Sequence, residues 1–374
     1  MDPVLKYMED HHEELLEDIR YLVESDSPSL NKELSNQCGA RIQELLERHL
    51  GHQAEVIPEK DYGDHLKFES GEGEECVLIL SHFDTVWDPG ELTYRVEGDI
   101  AYGPGILDMK GGLVQAIWAL KAIRELGLPM EKKIKYLFTS EEELSSPVSR
   151  HVIRREAEGC SYALVTEPPV VGTGALKTAR KGSARYTIEF TGKSAHAGNN
   201  HEEGASAIRA AVRVTEYLES QTNYELGTTL NVGLFQGGGK LNVVSDRAEI
   251  GVDVRASTNA EQERINQLIH GLTPLLEGTE LKVQGGISRP PMERTEASAQ
   301  LFEMARAVGQ ELGLDLKEAA VGGVSDGNLT AAMGIPTIDG LGVSGVGIHA
   351  RNEQINISEL PKRAALIAKL LMKL

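Results

Sequence analysis

The chain has 374 residues, of which 40% are hydrophobic and only 5% are aromatic, and its formal net charge at pH 7 is −19. This length exceeds what one hydrophobic core normally supports and predicts two domains, and the composition is that of an ordinary globular α/β protein rather than a disordered chain. Nucleic-acid binding requires a basic stripe, so the strong negative charge excludes nucleic acid as a partner.

Three features bear on the compartment. No apolar run approaches the roughly 20 residues that would span a bilayer, so we expect no membrane partner. The N-terminus, Met1–Val4, leads into a sequence rich in Glu and His, unlike the basic and then apolar order of a signal peptide. Cys38, Cys76 and Cys160 are widely spaced and form no CxxC pair, so we expect reduced thiols rather than metal ligands or disulfides. We therefore expect a cytoplasmic protein.

The first part of the chain alternates between helical and strand patterns. Apolar residues recur at helical spacing in Val4–Val23 and in Lys32–Leu50. Cys76–Ser81 is a short continuous apolar run, which is typical of a strand buried on both faces. A helical pattern and two further strand patterns follow, at Gly111–Leu126, Ile134–Thr139 and Tyr162–Thr166. This alternation predicts an α/β domain with a mixed, mostly parallel sheet and helices on both faces.

From Ala184 the pattern is that of a different domain. Strand and helix patterns occur in the order β-α-β-β-α-β, at Arg185–Thr191, Gly204–Glu219, Thr228–Phe235, Arg247–Arg255, Asn259–Leu275 and Glu280–Gly285. This order predicts a ferredoxin-like α+β domain. After Pro290 the α/β pattern returns, at Leu301–Leu312, Asp326–Met333, Pro336–Leu341 and a helix from Ser358. We therefore expect a discontinuous domain at residues 1–180 and 290–374, with residues 181–289 inserted into it.

Acidic and imidazole side chains follow the predicted strands at one edge of the sheet, where open α/β sheets bind ligands. They are His82, Asp84, Glu141, Glu142, Glu143 and Glu167 at strand ends, with Asp108 in a glycine-rich turn and His349 after Gly340–Gly347. Each alone has a simpler explanation, such as a turn histidine, a solvated glutamate or a helix N-cap. Burying them together would be prohibitively costly unless cations neutralise them. The set therefore predicts a site for divalent metal ions.

Six segments resemble the signature blocks of the M20 metallopeptidases, in the same order, and within them those of the carboxypeptidase G2-like (glutamate carboxypeptidase) branch. The segments are Ser81–Val86, Gly103–Gly112, Ser140–Glu143, Thr166–Pro168, Ser194–Gly198 and Gly347–His349. The resemblance covers essentially the whole chain, and Met109, where many relatives have a second aspartate, favours this branch. It implies a zinc-exopeptidase-like catalytic domain, an inserted lid and dimerisation domain, and a homodimer.

The resemblance implies two metal ions and their ligands. His82 with Glu167 is expected to hold one ion, and Glu142 with His349 the other, while Asp108 bridges both. Nitrogen and oxygen ligands without sulfur suit zinc, with cobalt or manganese as alternatives, and a shared carboxylate suits a dinuclear site.

Two further residues at this edge are expected to act in catalysis. Asp84 stands two residues after His82 in an extended chain, so both side chains can point the same way and Asp84 can orient the His82 ring. Glu141 neighbours the expected ligand Glu142, and we expect it to be the general base that takes a proton from the attacking water. A helix-capping or solvated glutamate is the alternative for Glu141.

The resemblance also assigns residues to the substrate. His196 matches an imidazole that stabilises the oxyanion, generally in the active site of the other subunit; a surface histidine is the alternative. Asn242 matches an asparagine near the substrate carbonyl or carboxylate, or is a plain turn residue. Arg289 resembles an arginine that binds the substrate α-carboxylate, or is a surface salt-bridge partner. Gly323 lies in a loop whose backbone N–H groups would bind the same carboxylate.

We therefore expect a dinuclear-metal hydrolase that cleaves an amide or peptide bond next to a C-terminal amino acid with a free carboxylate. Its substrate would be a small peptide or an N-acyl amino acid, and the branch favours terminal glutamate. An N-acyl-amino-acid deacylase or a dipeptidase of the same family is the alternative, and sequence does not separate these. A non-catalytic binding module would be expected to lack ligands or the base, which are all present here.

Overall fold

The computed structural model describes residues 2–374, and this part of the chain contains ten α-helices and sixteen β-strands. The helices are α1 (Pro3–Asp10), α2 (His12–Val23), α3 (Lys32–Leu50), α4 (Gly111–Glu125), α5 (Ser149–Ala157), α6 (Ala207–Glu219), α7 (Asn259–His270), α8 (Glu296–Glu311), α9 (Gly327–Ala332) and α10 (Leu360–Lys373). The strands are β1 (Glu55–Ile57), β2 (His65–Ser70), β3 (Cys76–His82), β4 (Arg95–Glu97), β5 (Ile100–Tyr102), β6 (Lys133–Thr139), β7 (Cys160–Val165), β8 (Leu176–Arg180), β9 (Gly182–Thr191), β10 (Thr229–Gly237), β11 (Arg247–Ala256), β12 (Glu280–Arg289), β13 (Glu318–Val321), β14 (Thr337–Ile338), β15 (Gly345–Val346) and β16 (Gln354–Asn356). Within residues 2–374, no helix is both long enough and apolar enough to cross a membrane.

The chain divides into two units. The first contains the chain up to Thr178 together with Arg294–Ala320 and Ser325–Leu374. The second contains Ala179–Glu293 and the short segment Val321–Val324. The second unit is therefore slightly longer than the insertion predicted at residues 181–289, and it includes a segment that the prediction left in the first domain.

The first unit is built on a six-stranded sheet in the order β1-β2-β6-β3-β7-β14. β3 runs parallel to β6 and to β7, and β7 runs parallel to β14. The two pairs at the other edge, β1 with β2 and β2 with β6, are antiparallel. The prediction of a mixed, mostly parallel sheet is confirmed.

The central strand β3 shows why its sequence is a continuous apolar run. Val77 and Ile79 pack into a large core that includes residues of α1–α4, α8 and α10. Leu78 and Leu80 face the opposite way, into a smaller core with residues of α5 and α9. Alternate side chains of a strand point to opposite faces, so a strand covered by helices on both sides needs apolar residues at every position. Each such side chain contributes about 1.5–3 kcal/mol through its burial.

The helix predicted at Val4–Val23 is wrong in one respect, because the segment forms two helices, α1 and α2. The break lies at His11, whose φ of −112° and ψ of 21° are not helical. The Nδ1 atom of His11 is 2.8 Å from the Tyr7 carbonyl oxygen, so the side chain competes for a helical acceptor. The apolar period continues across the break, which is why the pattern did not reveal it.

The prediction of three reduced cysteines is wrong for two of them. Cys76 and Cys160 form a disulfide, whereas Cys38 is a buried free thiol. Cys76 and Cys160 are directly paired in register at the starts of the parallel strands β3 and β7, and their Cα atoms are 4.5 Å apart. This separation lies within the range that a disulfide can bridge. The pairing depends on strand register, which cysteine spacing along the chain does not contain.

The second unit is a four-stranded antiparallel sheet in the order β10-β11-β9-β12. Helices α6 and α7 contribute to one hydrophobic core with the sheet, and their chain order, β9-α6-β10-β11-α7-β12, is the predicted split βαβ arrangement. β12 extends to Arg289, four residues beyond the end predicted for it at Gly285.

Candidate metal centre

Three neighbouring parallel strands of the first unit end at the same edge of the sheet. His82 is the last residue of β3, the glutamates Glu141–Glu143 follow the end of β6, and Glu167 follows the end of β7. A small second sheet, in which β16 pairs with β5, brings two further segments to this edge. β5 leads into the turn that carries Asp108, and the β15–β16 hairpin carries His349. The structure thus brings together segments that are far apart in sequence.

Asp108 lies between the two histidines. Its Oδ1 atom is 3.1 Å from Nε2 of His82, and its Oδ2 atom is 3.2 Å from Nε2 of His349. Each histidine is also close to a glutamate: His82 Nε2 is 3.6 Å from Glu167 Oε1, and His349 Nε2 is 3.0 Å from Glu143 Oε2. One oxygen of Asp108 therefore belongs to each group, which is the arrangement of a bridging carboxylate.

Two overlapping groups of donor atoms, both of which include His82, are close enough to hold a metal ion. In the triad of His82, Asp108 and Glu143, and in that of His82, Glu142 and Glu167, the possible ligand atoms all lie within 4.8 Å of one another. Ligands at about 2.1 Å from a tetrahedral ion lie about 3.4 Å apart, close to the separations found here. All donors are imidazole nitrogens or carboxylate oxygens, which suit zinc, cobalt or manganese.

The crowding of acids and imidazoles shifts their pKa values. Hydrogen bonds with Asp108 and Glu143 raise the pKa of His349 to about 10. Burial raises the pKa of Glu143 to about 7. Burial would also raise the pKa of Asp108, but hydrogen bonds from His349 and His82 outweigh it and hold that pKa well below its usual range. Without cations, the centre therefore keeps protons on its imidazoles.

We expect the metal affinity of this centre to rise with pH. An ion binds neutral imidazole, so the proton that His349 holds up to a pKa of about 10 must leave, and protons compete with the ion below that pH. Each displaced proton changes the affinity by about tenfold per pH unit. Titration of metal-free protein with Zn²⁺ against a chromophoric chelator, between about pH 6 and 8, measures this slope. An affinity that does not change with pH would contradict the expectation, and a His270→Gln variant, altered in the second unit, should keep the same slope.

The three consecutive glutamates that follow β6 have different surroundings. Glu143 lies against His349, with its two carboxylate oxygens 3.1 and 3.0 Å from Nε2, whereas the prediction paired Glu142 with His349. Glu141 is completely buried, and its Oε1 atom accepts hydrogen bonds from the backbone N–H groups of Val148 (3.1 Å) and Ser149 (2.6 Å) at the start of α5. Glu141, predicted as the general base, is therefore directed into the protein and shapes the loop that presents its neighbours.

Glu142 lies on the His82 side of the centre. One of its carboxylate oxygens is within 4.8 Å of the possible ligand atoms of His82 and Glu167. Glu142 also lines a small pocket together with His82, Glu167 and Met109. Glu142 thus stands beside His82 and Glu167 at the centre.

Asp84 links His82 to the glutamate loop. Its Oδ1 atom is 3.4 Å from Nδ1 of His82, and its backbone carbonyl oxygen is 3.1 Å from the same nitrogen. The Asp84 carboxylate also accepts hydrogen bonds from the backbone N–H groups of Glu142 (3.1 Å) and Glu143 (3.2 Å) and from the hydroxyl of Ser29 (2.6 Å). Sequence reasoning did not identify Ser29, whose position in a loop carries no motif.

Two residues predicted to contact the substrate lie in loops of the second unit. His196 is exposed, and its Nδ1 atom accepts hydrogen bonds from the backbone N–H groups of Gly198 and Asn199, both at 3.1 Å. Since Nδ1 is an acceptor, the neutral ring carries its proton on Nε2, where it can be donated. Asn242 is exposed, and its backbone carbonyl oxygen accepts a hydrogen bond from the backbone N–H of Ala197.

The other two predicted substrate residues also belong to the second unit. Arg289 is the last residue of β12 and is completely buried, and its backbone carbonyl accepts a hydrogen bond from Nε2 of Gln262 at 2.8 Å. The carbonyl oxygen of Gly323 accepts a hydrogen bond from Nη1 of Arg180 at 3.2 Å. Arg289 is therefore a buried residue rather than the surface salt-bridge partner that was its alternative.

The comparisons with known proteins define the class of this chain. It matches Peptidase family M20/M25/M40 over residues 78–373. Carboxypeptidase G2 of Pseudomonas sp. (strain RS-16) is 32% identical over 311 residues, which cover 81% of this chain and 75% of that relative. The chain therefore belongs to the M20 family. It is a metallopeptidase-type hydrolase, and the clustered acids and histidines are candidate ligands for the dinuclear metal site of this family.

Solved structures share the fold. Aminopeptidase PepT from Bacillus cereus ATCC 10987 superimposes with a TM-score of 0.76 at 24% sequence identity, over 97% of this chain and 98% of that one. The Bacillus subtilis protein YXEP, described as a dinuclear metal binding peptidase from the M20 family, superimposes with a TM-score of 0.74 at 16% identity, over 98% of each chain. At these identities the likeness establishes the fold: an α/β unit with a mixed, mainly parallel sheet and a separate antiparallel unit.

Proposed function

We propose that this chain is a zinc-dependent carboxypeptidase that releases a C-terminal amino acid, preferably glutamate, from a small peptide or an N-acyl amino acid. The observation that carries the proposal is the position of Asp108, whose two carboxylate oxygens face His82 and His349 separately at 3.1 and 3.2 Å. The preference for glutamate is supported by the 32% identity to carboxypeptidase G2 and by the sequence segments shared with that branch.

Five residues would hold the two ions. His82 and Glu167 are proposed to bind one ion, Glu143 and His349 the other, and Asp108 both. When bound, two divalent ions supply Lewis-acid chemistry, which acidifies the attacking water and polarises the scissile carbonyl. Zinc is favoured because every donor is an imidazole nitrogen or a carboxylate oxygen, with cobalt and manganese as alternatives.

Glu142 is proposed to be the general base in place of Glu141. It would take a proton from the attacking water and then donate that proton to the leaving amide nitrogen. Two observations support this role: Glu142 lies beside His82 and Glu167, and the Oε1 atom of Glu141 already accepts two backbone hydrogen bonds. Asp84 would keep Glu142 in place, because it accepts a hydrogen bond from the Glu142 N–H.

The second unit is proposed to bind the substrate. Arg289 would form a bidentate pair with the terminal carboxylate, and the loop at Gly323 would add backbone N–H groups. Because the Arg289 side chain is completely buried here, this role requires that it become accessible when substrate binds. Asn242 would contact the substrate carbonyl or carboxylate, and Nε2–H of His196 would donate to the developing oxyanion.

We further propose that the second unit forms a homodimer, so that His196 acts in the partner's active site. β10 is an edge strand of its sheet, and it exposes the apolar side chains of Leu234 (63% exposed) and Phe235 (43% exposed). An exposed edge strand with apolar residues is a ready surface for pairing with another chain. A gel-filtration mass of one subunit would contradict the dimer.

A panel of substrates tests the activity. It contains one acyl group joined to glutamate, aspartate, alanine, leucine or lysine, and the glutamate compound with its α-carboxylate amidated. We expect the highest kcat/KM for free glutamate and a loss of about 10²-fold on amidation, because a buried charge pair is broken. Hydrolysis should stop when the protein is stripped of metal and return when Zn²⁺ is added.

The same panel separates the alternatives. A higher kcat/KM for alanine or leucine than for glutamate would reject the glutamate assignment and favour a deacylase. Hydrolysis restricted to dipeptides with a free amino terminus would favour a dipeptidase. Equal rates for the free and the amidated carboxylate would contradict the proposed recognition of a C-terminal residue.

A further inference from the structure

Glu353 is a buried acid outside the predicted site. Its side chain is almost inaccessible, at 1% exposed. Its carboxylate accepts four hydrogen bonds, two at each oxygen. The donors are the Trp87 indole (2.7 Å) and the Gly105 N–H (3.1 Å) at Oε2, and the Leu107 N–H (2.9 Å) and the Asp108 N–H (3.2 Å) at Oε1. Three of the four donors are backbone groups of a single turn.

That turn carries Asp108, the carboxylate that faces both histidines. The turn runs from Gly105 to Lys110, between β5 and α4. Asp108 has φ and ψ of −120° and 91°, so the backbone there is not helical and does not satisfy its own N–H groups within a helix. Buried N–H groups need an acceptor, and Glu353 supplies one for three of them.

Glu353 itself belongs to the turn that carries His349. The N–H of Glu353 donates to the carbonyl of Ala350 at 2.9 Å, and the N–H of Ala350 donates to the carbonyl of Gly347 at 2.8 Å. The side chain of Glu353 therefore connects the backbone of one ligand turn to the backbone of the other. The two turns are separated by more than 200 positions in the sequence.

We propose that Glu353 is a positioning residue that fixes Asp108 relative to His349 and thereby sets the affinity of the dinuclear centre for its ions. This inference rests on the proposed function, because it takes Asp108 to be the bridging ligand. Residues that hydrogen-bond to the metal ligands typically change the metal affinity by about 10–100-fold when they are substituted. Glu353 touches the backbone of the bridging residue, so its removal would affect both ions rather than one.

A carboxylate suits this position better than its amide. Both oxygens of Glu353 receive two N–H donors, so every donor finds an acceptor. In Glu353→Gln, the amide NH₂ replaces one oxygen and meets two N–H groups, which can only repel it. Either the Asp108 side or the Trp87 side then loses its acceptor, and the Asp108 turn is no longer held on both sides.

The test uses Co²⁺ as a probe, with the full chain first stripped of metal. We expect wild type to bind two Co²⁺ ions, and Glu353→Gln to bind them about 10–100-fold more weakly, with a changed visible absorption spectrum of the bound Co²⁺. Trp87→Phe removes one donor and should weaken binding less. In the double variant, the indole N–H that would meet the amide is absent, so the loss should be smaller than the product of the two single losses.

Glu156→Gln is the matched control. Glu156 is also a buried acid, and it pairs with Lys67 and Arg155 away from both ligand turns. This variant should show wild-type Co²⁺ affinity and spectrum even if its melting temperature falls. Wild-type affinity and spectrum in both Glu353→Gln and Trp87→Phe would overturn the positioning role. Wild type that binds fewer than two Co²⁺ ions would instead contradict the proposed function itself.

Discussion

Replacing Glu142 with glutamine is expected to lower kcat by about 10²–10⁴ while both metal sites stay filled. The reason is that Glu142 lies beside His82 and Glu167 and is proposed to move the proton, whereas Glu143 faces His349. Glutamine keeps the shape of the side chain but cannot accept the proton. The measurement is kcat on the preferred substrate, together with the number of zinc ions bound per chain.

The neighbouring glutamates provide matched controls for Glu142. Glu141→Gln should keep kcat within about tenfold, because its carboxylate accepts backbone hydrogen bonds from Val148 and Ser149, and it should lose about 1–3 kcal/mol of unfolding free energy. Glu143→Gln should lower the affinity for the ion on the His349 side. Full activity in Glu142→Gln, combined with inactivity in a folded Glu141→Gln, would restore the role that the sequence suggested for Glu141.

Replacing Asp108 with asparagine is expected to remove hydrolysis and to reduce the bound ions from two to one or none. Asparagine offers one oxygen, so it cannot face His82 and His349 with an acceptor on each side as Asp108 does. It also removes the negative charge that two divalent ions share. Because the ions supply several kcal/mol of transition-state stabilisation, kcat should fall by about 10³-fold or more. Metal analysis after dialysis and kinetic assays of the same sample measure both effects.

A control for Asp108 is available in the second unit. Asp253 pairs with Arg255 at 2.8 Å within the antiparallel sheet, so Asp253→Asn removes a carboxylate without touching the centre. This variant should bind two ions and keep its kcat. An Asp108→Asn protein that still holds two ions with wild-type affinity would show that another group bridges them.

The edge of the sheet that carries the centre could be predicted from the sequence for a specific reason. The apolar run at β3 and the strand patterns at β6 and β7 reveal buried parallel strands, and parallel strands end at one edge. His82 is the last residue of β3 and Glu167 lies two residues after β7, so their convergence needs no knowledge of loop structure. The same reasoning recovered the second unit, since its strand and helix patterns follow the split βαβ order.

The roles of Glu141, Glu142 and Glu143 could not be predicted in the same way. These residues follow the strand in a turn, where side-chain direction depends on backbone dihedral angles rather than on a period of two or 3.6. Glu142–Leu144 forms a single 3₁₀ turn, which points consecutive side chains in different directions. A resemblance that assigns a base and a ligand to adjacent glutamates leaves the register open by one residue.

Two other contacts could not be predicted, because in each of them the two residues lie far apart in the sequence. The Cys76–Cys160 disulfide depends on strand register, and the contact of Glu353 with the Asp108 turn depends on the pairing of β16 with β5. Neither leaves a local pattern. The roles of His196 and Arg289, the identity of the ions, the homodimer and the cytoplasmic location stay predictions.

The disulfide and the proposed ions tie the same two strands at opposite ends. Cys76 and Cys160 join β3 to β7 where both strands begin, whereas an ion held by His82 and Glu167 would join them where both strands finish. The segment between the cysteines is a closed covalent ring that contains His82, Asp108 and Glu143, with Glu167 and His349 outside it. Each ion would thus link the ring to one residue outside it. Strands β3 and β7 could separate only after both the disulfide was reduced and the metal ligation was lost.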